Sequence, residues 1–110
     1  SGMLGWHIFI YSTKSGAVPR VIGDHGELLA EWRAAGHGLD WLTALIDQGD
    51  AVELVAGGYP TRYRVLALGM LPLIQDARHS ARAGTYQART ERLGRCMSDE
   101  WFVVEVWDES

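Results

Sequence analysis

The clearest hydrophobic patterns in the chain are short runs whose positions are nearly all apolar, aromatic or β-branched. "WHIFIYS" at 6–12 is apolar on both alternating faces, which predicts an interior strand of a sheet. "AVELVA" and "TRYRVLALG" flank a Gly-Gly-Tyr-Pro turn, so residues 51–68 are expected to form a β-hairpin. "VPRVIG" at 18–23 indicates a short second strand, and "EWFVVEVW" at 100–107 a final one.

A helix is predicted over "ELLAEWRAA" at 27–35, where the apolar residues have helical spacing. Asp24 and Glu27 precede and open this segment as a capping pair would. The residues expected on its buried face are Leu28, Leu29 and Trp32.

A second helix is predicted over "WLTALIDQG" at 41–49, with Asp40 as its N-terminal cap and Gly49 as its end. The side chains expected to face inward are Trp41, Leu42, Leu45 and Ile46.

The segment 77–97 is rich in arginine, and its structure is less clear from its pattern. One continuous helix over 74–97 would bring four arginines within an arc of about 80°, namely Arg78, Arg82, Arg89 and Arg92. Gly84-Thr85 interrupts that pattern, and the apolar residues form no single stripe. A helix to about residue 83, followed by a loosely held segment, is therefore favoured, and the single helix stays as an alternative.

These elements predict an α+β fold: a single domain with a mainly antiparallel sheet of about five strands and two to three helices on one face. Ser1-Gly2 before Met3 resembles a cloning scar, so the domain is expected to occupy 3–110. If the final strand lies at a sheet edge, its long apolar ladder would be unprotected. Pairing across a two-fold axis would cover it, which predicts a homodimer.

The composition indicates where in the cell the protein is expected. The chain shows neither a signal peptide nor the roughly 18-residue apolar run of a membrane span. Its single cysteine, Cys96, suits a reducing compartment, and arginine far outnumbers lysine. A cytoplasmic bacterial protein is expected.

The charge distribution is uneven although the net charge is only −4. Residues 21–55 carry seven acids against Arg33 alone, whereas residues 78–95 carry five arginines against Glu91 alone. One interpretation is that the two blocks neutralise each other within the fold or across a dimer. The overall acidity and the scarcity of aromatic residues beside the arginines argue against nucleic-acid binding.

No residue pattern indicates a catalytic, metal or cofactor site. The four histidines lack the spacing of a zinc site, and the glycine-rich turns lack the spacing of a phosphate loop. Cys96 and His79 could form a nucleophile and base only if folding brings them together; a lone cysteine is more often a small core residue. The sequence favours a protein that is not an enzyme.

Three functions remain as hypotheses. The first is a protein-binding domain, of the kind found among toxin-neutralising immunity proteins, that meets a basic partner through an acidic helical surface. The residues of that surface would be Asp24, Glu27, Glu31, Trp32, Asp40, Trp41 and Asp47. The competing interpretation places both tryptophans in the core.

The second hypothesis is a small enzyme or anion-binding domain with a pocket between the sheet and segment 77–97. Arg78, Arg82, Arg89 and Arg92 would hold the anion. The third hypothesis is nucleic-acid binding through the same arginines.

Overall fold

The computed structural model describes residues 5–13, 25–54 and 60–109. Within these ranges the elements in chain order are β1 (Gly5–Thr13), β2 (His25–Ala35), α1 (Asp40–Gln48), β3 (Ala51–Glu53), β4 (Thr61–Leu66), α2 (Ala67–Ser80), β5 (Gln87–Ala88), α3 (Thr90–Gly94) and β6 (Trp101–Asp108). The strands form one antiparallel sheet in the order β3-β4-β6-β1-β2-β5. The predicted α+β class is confirmed, with six strands in place of about five. The predicted strand at 18–23 lies outside the described residues.

The two most apolar runs lie at the centre of the sheet. β1 pairs with β2 on one side and β6 on the other, as its two apolar faces predicted. β6 pairs with both β1 and β4, so the supposition that it forms an edge is wrong. Interior strands have no unpaired ladder to cover. The unprotected edge that suggested a homodimer is therefore absent from β6. The homodimer stays a prediction, and a monomer mass in light scattering would contradict it.

The predicted helix over 27–35 is wrong, because this segment is strand β2. Ala30, Trp32 and Ala34 alternate as buried positions, and the strand pairs along its length with β1. Leucine, alanine, glutamate and arginine favour a helix by only fractions of a kcal/mol each, which a full antiparallel ladder outweighs. Glu27 opens no helix; its backbone N–H donates to Ser12 Oγ. Asp24 lies outside the described residues.

The helices pack on one face of the sheet, here called the core face. β1 contributes Ile8 and Ile10, β6 contributes Phe102, Val104 and Val106, and these side chains are at most 4 % exposed. The helical residues that join this core are Leu42, Leu45, Met70, Ile74 and Ala77.

Helix α1 confirms most of the second helix prediction. Gly49 ends it with a left-handed φ of 83°, a conformation that glycine adopts without steric cost. Asp40 is its first helical residue and Leu39 occupies the N-cap position, so the expected cap is wrong by one residue. Ile46 does not face inward and is 43 % exposed. It lies about 90° around the helix from the centre of the stripe formed by Trp41, Leu42 and Leu45.

The hairpin prediction is confirmed for its strands, β3 and β4, while the turn residues 55–59 lie outside the described ranges. Its second strand ends at Leu66, because the chain enters α2 at Ala67. α2 runs through Pro72 and ends at Ser80, a little before the expected residue 83. None of the helices in the described ranges is long and apolar enough to cross a membrane.

The segment after α2 is neither one helix nor a plain loop. It runs beside β2, since the backbone N–H of Arg82 donates to Arg33 O and that of Arg89 donates to Leu29 O. β5 adds a two-residue pairing to the same strand, and α3 follows it. The chain then returns through residues 95–100 to β6 at the centre of the sheet.

Candidate functional site: a groove beside the sheet

The two tryptophans of the predicted acidic surface pack against the core. Trp32 is 3 % exposed and its ring lies 6.4 Å from the Trp41 ring and 6.3 Å from the Tyr86 ring, centroid to centroid. Trp41 is half-buried, and its indole N–H donates to Gly38 O at 2.7 Å. The structure thus places both side chains as the competing interpretation expected.

The carboxylates predicted beside them are divided among different elements. Glu27 and Glu31 lie on β2, whereas Asp40 and Asp47 are exposed on α1. Asp40 lies 3.7 Å from the imidazole of His37. No continuous acidic helical surface is formed by the described residues, and their role in partner binding stays a prediction.

The arginines predicted to form one ridge are also separated. Arg89 and Arg92 both bind Glu27, at 3.1 and 2.8 Å, and the hydrogen bond that Arg92 donates to Glu27 raises the pKa of Arg92. The guanidinium of Arg82 lies near Gly5, where an added Cβ would come within 3.0 Å of it. For Glu27, the interpretation that acidic and basic blocks neutralise each other within the fold is confirmed.

Arg78 lies elsewhere, on the wall of a groove between α2 and residues 86–96. The groove has a volume of about 890 Å³. The α2 wall consists of residues at helical spacing, namely Leu71, Ile74, Gln75, Arg78 and His79; the opposite wall consists of Tyr86, Gln87, Ala88, Thr90, Leu93, Gly94 and Cys96. Offsets of three, four, seven and eight residues place one face of a helix toward a neighbour, so this wall follows from the helix period alone.

The groove lining combines apolar side chains, among them Leu71 and Leu93, with polar and charged ones. Tyr86 contacts Trp32, so one wall is anchored to the core. Burial raises the pKa of the Tyr86 phenol, and the nearby charge of Arg78 acts in the opposite direction. No aspartate or glutamate is among the described residues that line the groove.

Cys96 and His79 line this groove together, a placement that the sequence left open. Burial raises the pKa of the Cys96 thiol, Glu100 raises it further, and Arg92 opposes the shift. The thiol is therefore protonated at neutral pH. An activated cysteine nucleophile needs the opposite shift, so the electrostatics do not favour a Cys–His pair.

We expect alkylation of Cys96 by iodoacetamide to rise with pH along a curve shifted to higher pH in the folded protein. A raised thiol pKa reduces the thiolate fraction at every pH below it, and the thiolate is the reacting species. Rates measured from pH 7 to 10 on folded and urea-unfolded chain test this. A midpoint for the folded protein below that of the unfolded chain would contradict the assignment.

The opposite face of the sheet, here called the polar face, carries a second group of interacting side chains. His7 Nε2 and Glu31 Oε2 lie 3.1 Å apart across β1 and β2. Arg62 Nε donates to Glu105 Oε2 at 3.0 Å, and Trp107 Nε1 donates to Glu105 Oε1 at 2.6 Å. The first contact joins β1 to β2, and the Arg62–Glu105 pair joins β4 to β6.

Aromatic rings complete the polar face. The rings of His7 and Phe9 stack with centroids 4.1 Å apart, and Tyr11 follows 6.4 Å from Phe9. Arg64 lies over the Trp101 ring at 5.4 Å. The alternation in "WHIFIYS" places His7, Phe9 and Tyr11 on one side of a strand. Glu31 was predicted as part of the acidic surface, but its contact with His7 was not predicted, because its segment was expected to be helical.

Comparison of the chain with protein-family models, with curated protein sequences and with solved structures found no match. Among the described residues, no group of three or more histidine, cysteine, aspartate or glutamate side chains could hold a metal ion. The geometry of the groove and of the polar face is therefore the basis for a functional proposal.

Proposed function

We propose that this protein is a small-ligand-binding domain and that its site is the groove between α2 and residues 86–96. The observation that carries the proposal is the groove itself, whose volume of about 890 Å³ lies in the range of small-molecule sites, roughly 300–1,000 Å³. Its lining offers both apolar side chains and polar groups, the two kinds of contact that fix a small molecule in such sites.

The walls of the groove are held in place by the fold. α2 is anchored through Ile74 and Ala77 in the core, and β5 pairs with β2 through Ala30 and Ala88. Tyr86 packs on Trp32. A cavity that exists before the ligand arrives needs little ordering on binding, so more of the contact energy is available as affinity.

The proposal is tested with a thermal-shift panel of small carboxylates, phosphates and neutral aromatic compounds. A ligand at a hundred times its Kd stabilises the folded state by about 2.7 kcal/mol. For a domain of this size that corresponds to a rise in melting temperature of roughly 10 °C. Thr90→Trp would place a large ring in the groove, while Thr43→Trp changes an exposed threonine of α1 away from it.

A shift that Thr90→Trp removes and Thr43→Trp retains supports the groove as the site. A shift that both variants retain places the ligand elsewhere and contradicts the proposal. So does the absence of any shift across the panel.

A second candidate function is the binding of a protein partner, with toxin neutralisation as its specific form, through the polar face. The supporting observation is the grouping there of Trp101, Trp107, Tyr11 and Arg33, because tryptophan, tyrosine and arginine are enriched at binding hot spots. Affinity for a captured partner should fall at least tenfold in Trp107→Ala. It should be unchanged in Leu68→Ala, which removes a 63 % exposed leucine of α2. Equal losses in both variants would exclude the polar face.

A further inference from the structure

Most of the arginines in the described ranges contact a carboxylate or an aromatic ring of the protein, and three of them do not. Arg33, Arg62, Arg89 and Arg92 each bind a carboxylate, and Arg64 lies over an indole ring. Arg78 has no carboxylate oxygen within 4 Å among the described residues. The same holds for Arg82 and Arg95, but neither of these lines the groove.

Arg78 is exposed to solvent, and it differs from Arg82 and Arg95 in lining the groove. The protein carries 14 acidic residues and a net charge of −4, yet none of the described residues that line the groove is acidic. Glu100 lies close to one lining residue, Cys96, and raises the pKa of its thiol. A guanidinium in a groove wall without a carboxylate partner favours an anion that the ligand brings.

The number and type of polar groups define the kind of anion. A single guanidinium matches one carboxylate, which it can hold through two parallel hydrogen bonds. A phosphate monoester carries close to two negative charges at neutral pH and would need a second cation; only His79 is available on these walls. Leu71 and Leu93, which are half-buried, offer contact to an apolar body, and neither offers a second charge.

We infer that the ligand of the groove is a small monocarboxylate with an apolar body, and that Arg78 holds its carboxylate. Tyr86 and Thr90 supply hydroxyl donors on the opposite wall. This inference rests on the proposed function, because it assigns the ligand class of the same site.

The test is a pair of isosteric probes, 2-naphthoate and 2-naphthamide, titrated into the ¹⁵N-labelled protein and followed by amide shifts. We expect both to perturb residues 71–96 and the carboxylate to bind at least tenfold more tightly, since a charge-assisted pair contributes about that factor. Arg78→Gln should remove the difference between the probes. Arg95→Gln, which changes an exposed arginine that does not line the groove, should preserve it.

The outcomes distinguish failure of the carboxylate assignment from failure of the groove as a ligand site. Equal binding of both probes in the groove would overturn the inference and leave the groove a ligand site. Inorganic phosphate binding there more tightly than naphthoate would overturn the choice of a carboxylate. A preference for naphthoate that survives Arg78→Gln would overturn the role of Arg78. Failure of both probes to bind at millimolar concentration would overturn the inference, and the broader ligand panel would then decide the proposed function separately.

Discussion

Replacing Trp32 by alanine is expected to lower the free energy of unfolding by about 3–5 kcal/mol, the usual cost of truncating a buried tryptophan. Trp32 is 3 % exposed and lies between the rings of Trp41 and Tyr86. Its removal would leave a cavity that two half-buried aromatic side chains can fill only in part. A loss of this size is a large fraction of the stability of a small domain.

Urea unfolding followed by tryptophan fluorescence measures this loss. Trp107→Ala is the matched control, because it removes the same side chain from a position that is 36 % exposed at the end of β6. We expect its cost to be less than half that of Trp32→Ala. A cost for Trp32→Ala below that of the control would show that Trp32 lies at the surface, as the acidic-surface hypothesis requires.

Replacing Glu105 by alanine is expected to cost about 3 kcal/mol of stability, because it leaves a largely buried guanidinium without its partner. The Arg62 and Glu105 side chains are 18 % and 10 % exposed, and the pair joins β4 to the central strand β6. The same carboxylate accepts the indole N–H of Trp107, so the change removes two hydrogen bonds.

A double-mutant cycle over Arg62 and Glu105 separates the pair from its individual side chains. The exposed pair Arg33–Glu109, with side chains 48 % and 33 % exposed, is the control and should couple by less than about 1 kcal/mol. The combined change Arg62→Met with Glu105→Leu should recover most of the loss, since apolar side chains of similar volume carry no unpaired charge. Equal coupling at the two pairs would contradict the buried character of the first.

The groove shows how far a sequence can lead toward a site. Arg78, His79 and Cys96 lie in a segment that the charge pattern singled out, and the helix period predicts which residues of α2 share a face. The opposite wall of the groove could not be predicted from the sequence. Residues 86–96 approach α2 because β5 pairs with β2. That pairing could not be anticipated while β2 itself was predicted to be a helix.

The segment of β2 was predicted to be a helix because its apolar residues fit both a helical and an alternating period. "ELLAEWRAA" contains good helix formers, and short segments satisfy both periods, so local preference decides weakly between them. The ladder with β1 supplies hydrogen bonds along the whole segment and buries Trp32. These interactions depend on residues some twenty positions away, which no window on the chain contains.

The sequence by itself determined the features that depend on local pattern. These are the interior strand β1, the existence of the final strand β6, the hairpin strands β3 and β4, the helix that ends at Gly49 and the α+β class. The tertiary structure alone decided which face of the sheet each charge occupies, which arginines bind Glu27 and which one faces the groove. These contacts follow from strand order and register. Register fixes which side chains of neighbouring strands lie opposite each other, and it depends on residues far apart in the sequence.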